Sequence, residues 1–276
     1  MKISFFAVVL ATTCLAATEA QKTKDTGTPA PTPSVTMPEE QLEGVTQQQD
    51  DATPAPKKQK EATTTATASP TISYKKVKPF EEPKPSSVTE KAAIEFKPQL
   101  HVANGCHAYP VVNEAGQIST WLEKADAKGA KCKGSKLGAQ VYGRSAWFGR
   151  VWAIMYAWYF PDVTPDWEHV IVWTNNPNVT DQVILAVTTS NSTGGYTSQT
   201  PPDASMVSGT SVKVSYSDNA LATTTEGGHT QDLIMWHQLS DAAQEALNND
   251  QSFAGVQVPM NDDYFLLQLG KAWPFA

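Results

Sequence analysis

Residues 153–173 read AIMYAWYFPDVTPDWEHVIVW: an aromatic apolar run, a short acidic loop and a second apolar run. AIMYAWYF carries the aromatic and aliphatic side chains of a buried strand, and VIVW has the β-branched content of another. Between them Pro161, Asp162, Pro165, Asp166 and Glu168 form a turn holding three carboxylates, which reads either as a cation site or as a solvated turn. If that end of the chain is extended, Asp166 and Glu168, at i and i+2, project from one face, with Asp162 across the turn. Such a set offers hard oxygen ligands suited to Ca²⁺ or Mg²⁺.

Outward from this stretch, short apolar runs recur between Gly, Pro, Asn and Ser turns, the pattern of a β-sandwich or barrel. Strands are expected at Val111–Val112 with its flank, Gln140–Tyr142, Val151–Phe160, His169–Trp173, Val183–Thr188, Ser211–Tyr216 and Leu233–Met235. Helical signals are fewer: Ile118–Ala127, Asp241–Leu247 capped by Ser240, and Tyr264–Leu269 after Asn261-Asp262-Asp263. All eight tryptophans lie beyond residue 93, so the core belongs to the C-terminal part.

The N-terminal part is of another kind. Lys2, the apolar run Ile3–Leu15 and the small residues near Ala20 have the layout of a secretory signal peptide over residues 1–20. Residues 21–92 are rich in Thr, Pro, Ala, Lys, Glu and Gln, a composition that reads as a disordered linker because it offers too little apolar surface to offset backbone ordering. An exported protein is expected, with a folded domain over 93–276. Cys14 leaves with the signal peptide, so Cys106 and Cys132 remain as an even pair in an oxidising compartment, and a disulfide is expected. Asn178-Val179-Thr180 and Asn191-Ser192-Thr193 are N-glycosylation sequons in polar turns. The net charge of −7 argues against nucleic acid as a partner, and a monomer is expected.

Catalytic signals are weak. Asp166 with Glu168 invites comparison with a glycosidase pair, but such carboxylates face each other across a sugar-sized gap of about 5–10 Å. His229 and Asp232 in EGGHTQD are as weak a signal for acid–base work, and Gly143-Arg144-Ser145-Ala146-Trp147 lacks the last Gly of a nucleophile elbow. His101, His107, His169 and His237 read as satisfied core or surface histidines. No enzyme is expected.

AIMYAWYFPD and DWE, with QLHVANGCHAYPVV (99–112), CKGSKLGAQVYGRSAWFGRVW (132–152), SGTSVKVSY (208–216), EGGHTQDLIMW (226–236) and VPMNDDYFLLQLGKAWPF (258–275), resemble the necrosis- and ethylene-inducing-peptide-like proteins, the NPP1 family of secreted plant-directed toxins and elicitors. The resemblance implies an all-β fold with flanking helices, a central β-sandwich similar to actinoporins and fungal lectins. It also implies a cation held by an Asp near the end of AIMYAWYFPKD and by the first His, the Asp and the Glu of GHRHDWE. Asp166, Trp167 and Glu168 match DWE and Asp162 is the candidate for the first Asp. Val163 and Pro165 stand at the His positions, so a degenerate, weak or absent Ca²⁺ or Mg²⁺ site is expected. YSDNAL (216–221) replaces a longer family loop that carries a Trp and a His.

Both losses point away from membrane lysis. The expected function is that of a secreted, non-cytotoxic elicitor from an oomycete, acting in the host apoplast. A plant pattern-recognition receptor would read the segment Ala153, Ile154, Met155, Tyr156, Ala157, Trp158, Tyr159, Phe160 and Pro161. The alternatives are a cation-dependent cytolysin that binds glycosylated sphingolipid headgroups of the plant membrane, and a glycan-binding module or secreted hydrolase.

Overall fold

The computed structural model describes residues 69–124, 132–253 and 255–275. The expected signal peptide and most of the expected linker lie outside these residues. In chain order the strands are β1 (Thr71–Ile72), β2 (Gln99–Val102), β3 (Ile118–Ser119), β4 (Gln140–Phe148), β5 (Val151–Phe160), β6 (Asp166–Thr174), β7 (Ile184–Ser190), β8 (Tyr196–Gln199), β9 (Val207–Ser208), β10 (Ser211–Ser217), β11 (Ala220–Thr223) and β12 (Asp232–Met235). The α-helices are α1 (Val88–Glu95), α2 (Asp241–Asn248) and α3 (Phe265–Lys271).

A six-stranded sheet, in the order β12-β4-β5-β6-β7-β8, forms the spine, and a smaller sheet, β11-β10-β2 with β9 paired to β10, covers one of its faces. The pairing of β5 with β6 is antiparallel and runs from Trp152 opposite Thr174 to Phe160 opposite Asp166. Alternate residues of β5 serve two cores. Trp152, Ile154, Tyr156, Trp158 and Phe160 pack with Val214, Tyr216 and Leu221 of the small sheet. Ala153, Met155, Ala157 and Tyr159 pack on the other side with Ala243, Leu247, Phe253, Phe265 and Leu269 of the helical layer. From Trp152 to Phe160 the strand is buried throughout. Each large side chain so buried contributes roughly 1.5–3 kcal/mol relative to exposure.

The helices carry their own start signals. Ser240 caps α2 by accepting from the Ala243 N–H at 3.2 Å. Ser87 caps α1 in a capping box with Glu90. Arg144 of β4 donates to the Met260 carbonyl and pairs with Asp262 at 2.9 Å while lying over the rings of Trp236 and Phe265, which fixes the approach to α3.

The structure differs from the sequence reading in three places. First, the packed region starts well before residue 93. β1 pairs in parallel with β3, Tyr74 and Val77 are buried, the Phe80 N–H donates to Gln140 Oε1, and α1 follows. These few apolar residues need no core of their own because they dock onto one built elsewhere. Second, the helix expected over Ile118–Ala127 begins instead as strand β3, because Ile118 and Ser119 are fully buried against β1; residues 125–127 lie outside the described ones. Third, Val111–Val112 forms an isolated bridge between Val112 and Ile118 rather than a strand. The expected disulfide is present, Cys106 to Cys132, with 5.0 Å between Cα atoms.

Two outcomes follow from this packing. Glu90 is buried and accepts from Ser86, Ser87, His237 and Gln238, tying α1 to the end of β12. The His237 hydrogen bond, aided by those of Ser86 and Ser87 against the opposing effect of burial, holds its carboxyl well below the ordinary value. The stability this contributes is therefore complete above the unfolded-state value of about 4.5 and is lost as pH falls through the depressed native one. Glu90→Ala should lower unfolding free energy by about 2–3 kcal/mol at pH 7, with the difference from wild type shrinking in acid denaturant titrations. Cys106→Ser should cost about 3 kcal/mol in the same assay, since it reopens a loop of 26 residues.

Candidate functional site

At one end of the sheet, β5 gives way to the Pro161–Pro165 turn and β6 begins. The Phe160 ring stacks on Tyr216 of β10, centroids 3.7 Å apart and planes within 4°. That contact sets the Tyr216 hydroxyl 3.3 Å from Asp166 Oδ2, to which it donates. Burial raises the Asp166 carboxyl above its ordinary value against the Tyr216 bond, with the Asp162 charge adding to the rise. Asp166 and Glu168 lie on the same face of β6, as the i, i+2 spacing predicts, and Trp167 points the other way into the helical core. Glu168 is buried and accepts a hydrogen bond from Ser190 of β7. Burial, with a smaller push from Asp166, raises it to about 8. The next residue, His169, bonds through Nε2 to the Tyr196 hydroxyl at 2.8 Å, and burial lowers its pKa to about 3, so it is neutral.

The donor set does not fit a divalent cation. Asp162 turns back to accept from the Val163 N–H, Glu168 is engaged by Ser190, and Val163, at a His position of the family motif, packs against the core. Among the described residues no three His, Cys, Asp or Glu side chains are grouped so as to hold a metal ion. Ca²⁺ would ask for six to eight oxygens around one point.

Facing this end of the sheet is the β10–β11 hairpin. Asp218 and Asn219 have φ of 52° and 58°, so the strands join through a two-residue turn of the I′ kind, and Asn104 supports it by hydrogen bonds to Asp218. At this segment, where the resembled family carries a longer loop with a Trp and a His, the hairpin turns through two exposed polar residues, Asp218 and Asn219. Beside the carboxylates lies a polar cleft of about 350 Å³, walled by Asp166, Glu168, the Ser190–Tyr196 turn, Asn219, Gln257 and the Gln268 and Lys271 side of α3. Tyr196 donates to Gln268 Oε1 at 2.8 Å and links its two walls.

The sequence therefore located Asp162, Asp166 and Glu168 at one end of the fold. Ser190, Asn191, Tyr196, Gln268 and Lys271 carry no motif that would assign them to the same place; antiparallel pairing of β6 with β7 and the docking of α3 bring them there. The segment Ala153–Pro161 does not border the cleft; it forms the inner strand and the start of the turn. Asn178 and Asn191 lie in turns on either side of β7. His237 is bonded to Glu90, whereas His101, His107 and His229 border a different cleft, of about 320 Å³, on the side of β2.

Glu168→Gln keeps an acceptor for Ser190 and puts a neutral amide where burial already holds the carboxyl mostly protonated at pH 7. It should leave the melting temperature at pH 7 equal to or above that of wild type, whereas Ser190→Ala should lower it by removing the partner of a buried carboxyl.

The family model for necrosis inducing protein (NPP1) matches residues 90–272. An NLP effector protein of Plasmopara viticola, number 9, is 62% identical over 209 residues, 75% of each chain. The crystal structure of the non-toxic HaNLP3 protein superposes with a TM-score of 0.69 at 42% identity, covering 73% of this chain and 99% of that one. NLPPya in complex with glucosamine superposes with a TM-score of 0.68 at 36% identity, covering 75% and 100%. A match over the whole β-sandwich and its helical layer, with relatives this similar, means that the chain belongs to the NPP1 necrosis-inducing protein family.

Proposed function

We propose that the chain is a secreted effector of a plant-pathogenic oomycete that elicits plant immunity without lysing membranes, its Ala153–Pro161 segment being the part a pattern-recognition receptor reads. The observation that carries this reading is the burial of that segment. A receptor that binds an extended peptide engages its backbone and alternate side chains. In the folded chain β4 and β6 occupy the backbone of β5, and its side chains fill two cores. The segment becomes readable once the domain is opened or cleaved, so recognition follows breakdown of the protein in the apoplast rather than docking of the intact fold.

The non-lytic half is supported by the geometry at the end of the sheet. Val163 is turned to the core, the carboxylates are engaged by Tyr216 and Ser190, and the Asp218-Asn219 turn presents no aromatic to a membrane interface. The likeness to a structure described as non-toxic agrees with it. Cation binding is accordingly proposed to be weak or absent. Asp166 and Glu168 stand side by side on one strand rather than facing across a gap, so no hydrolytic role is proposed. A glycan-headgroup reading is the second choice. It draws on the polar cleft and on the glucosamine complex of NLPPya.

A synthetic peptide covering residues 153–172 should elicit ethylene or reactive oxygen in responsive plants, and Trp158→Ala should weaken it. Protease-treated protein should act faster than the intact domain. The intact domain should leave plant-sphingolipid vesicles sealed and show no saturable micromolar Ca²⁺ or Mg²⁺ binding by calorimetry. Leakage or rapid necrosis would defeat the non-lytic half, and a silent peptide in plants that answer other family peptides would defeat the elicitor half.

A further inference from the structure

The two sequons sit at opposite ends of the large sheet. Asn178 lies in the turn after Thr174 of β6, and Thr174 pairs with Ile184, where β7 starts. Asn191 follows Ser190, the last residue of β7, whose hydroxyl receives the His169 N–H and bonds Glu168. The nine residues of β6 separate the ends by about 30 Å. Only the Asn191 turn borders the polar cleft.

The Asn191 side chain is held in one orientation. Its Oδ1 accepts from Thr193 N at 3.1 Å, Thr193 Oγ1 at 2.6 Å and Gly195 N at 3.0 Å. These bonds use the carbonyl of the amide, and among the described residues none is made by Nδ2, the atom an N-glycan would occupy. Across the cleft stand the side chains of Gln268 and Lys271, with Gln257 and Asn219 beside them, a wall of donors and acceptors suited to the hydroxyl and acetamido groups of a sugar.

We infer that the N-glycan on Asn191 lies back into this cleft and closes it, so that the secreted protein carries its own saccharide in the place where an external sugar or lipid headgroup would enter. The inference rests on the reading that the chain is secreted. In the secretory pathway, Nδ2 attacks C1 of a lipid-pyrophosphate-linked oligosaccharide. A C–N bond forms, the lipid pyrophosphate leaves, and Nδ2 gives up one proton. The product keeps the Asn191 carbonyl, and with it the Thr193 and Gly195 hydrogen bonds that orient the sugar. The same modification at Asn178 does not border this cleft and serves as the internal control.

The full chain, secreted from a glycosylating eukaryotic host, supplies the test. Glycopeptide mass spectrometry should find both sequons occupied. Under native conditions peptide N-glycosidase should release the Asn178 glycan several-fold faster than that on Asn191, and after denaturation the two rates should converge. Amine-reactive labelling of Lys271 should rise several-fold in Asn191→Gln and in Thr193→Ala, while Asn178→Gln leaves it unchanged. Equal native release rates, or equal Lys271 labelling with and without the glycan, would overturn the inference, as would a bare Asn191 beside an occupied Asn178. Export with bare Asn191 defeats this inference alone, whereas failure of export defeats the secretion reading as well.

Discussion

Everything in this fold depends on one strand being buried from both sides. β5 has the large sheet's neighbours on its edges, the small sheet over one face and the helical layer over the other. A strand in that position reads as a nearly continuous apolar run rather than as an alternation. Such a run specifies its register poorly, because a one-residue slip exchanges one apolar face for another. The polar tips of its aromatics supply the missing definition: Tyr156 donates to the Ala93 carbonyl of α1 and Trp158 to Gln231 Oε1, both at 2.8 Å. A slipped strand would leave these groups buried without partners.

The polar end of the molecule is a product of that register. Because Phe160 lies opposite Asp166, the carboxylates of β6 emerge where β5 ends, next to Tyr216 and Ser190. Rigid strands deliver these groups, and turns decide what surrounds them. Here the turns are short or filled inward: Pro161–Pro165 sends Val163 to the core, and Asp218-Asn219 closes its hairpin in two residues. A framework shared with the NPP1 family is thereby fitted with short, inward-packed turns at this end, and the proposed non-lytic reading rests on them.

The same burial bears on immune recognition. Edge strands and loops open with little free energy, whereas a central strand is exposed only when the whole domain unfolds or is cut. A receptor keyed to β5 would respond to the breakdown of the protein. The residues such a receptor reads are those the fold can least afford to change, since substitutions there create cavities or overpacking in two cores at once.

Much of this was legible in the sequence. The aromatic run and the VIVW run announced β5 and β6, the i, i+2 spacing put Asp166 and Glu168 on one face, Ser240 marked the start of α2, and the lone cysteine pair announced its disulfide. These are local signals, carried by residue type and spacing within one element. Residues 69–92 and Ile118–Ser119 were misread because their order comes from docking onto a core built far away in the chain, and nothing in their own composition reports it. The cleft was invisible for the same reason. Ser190, Asn191, Gln268 and Lys271 are ordinary polar residues until strand pairing and helix docking set them around the carboxylates, and that juxtaposition exists only in the tertiary structure.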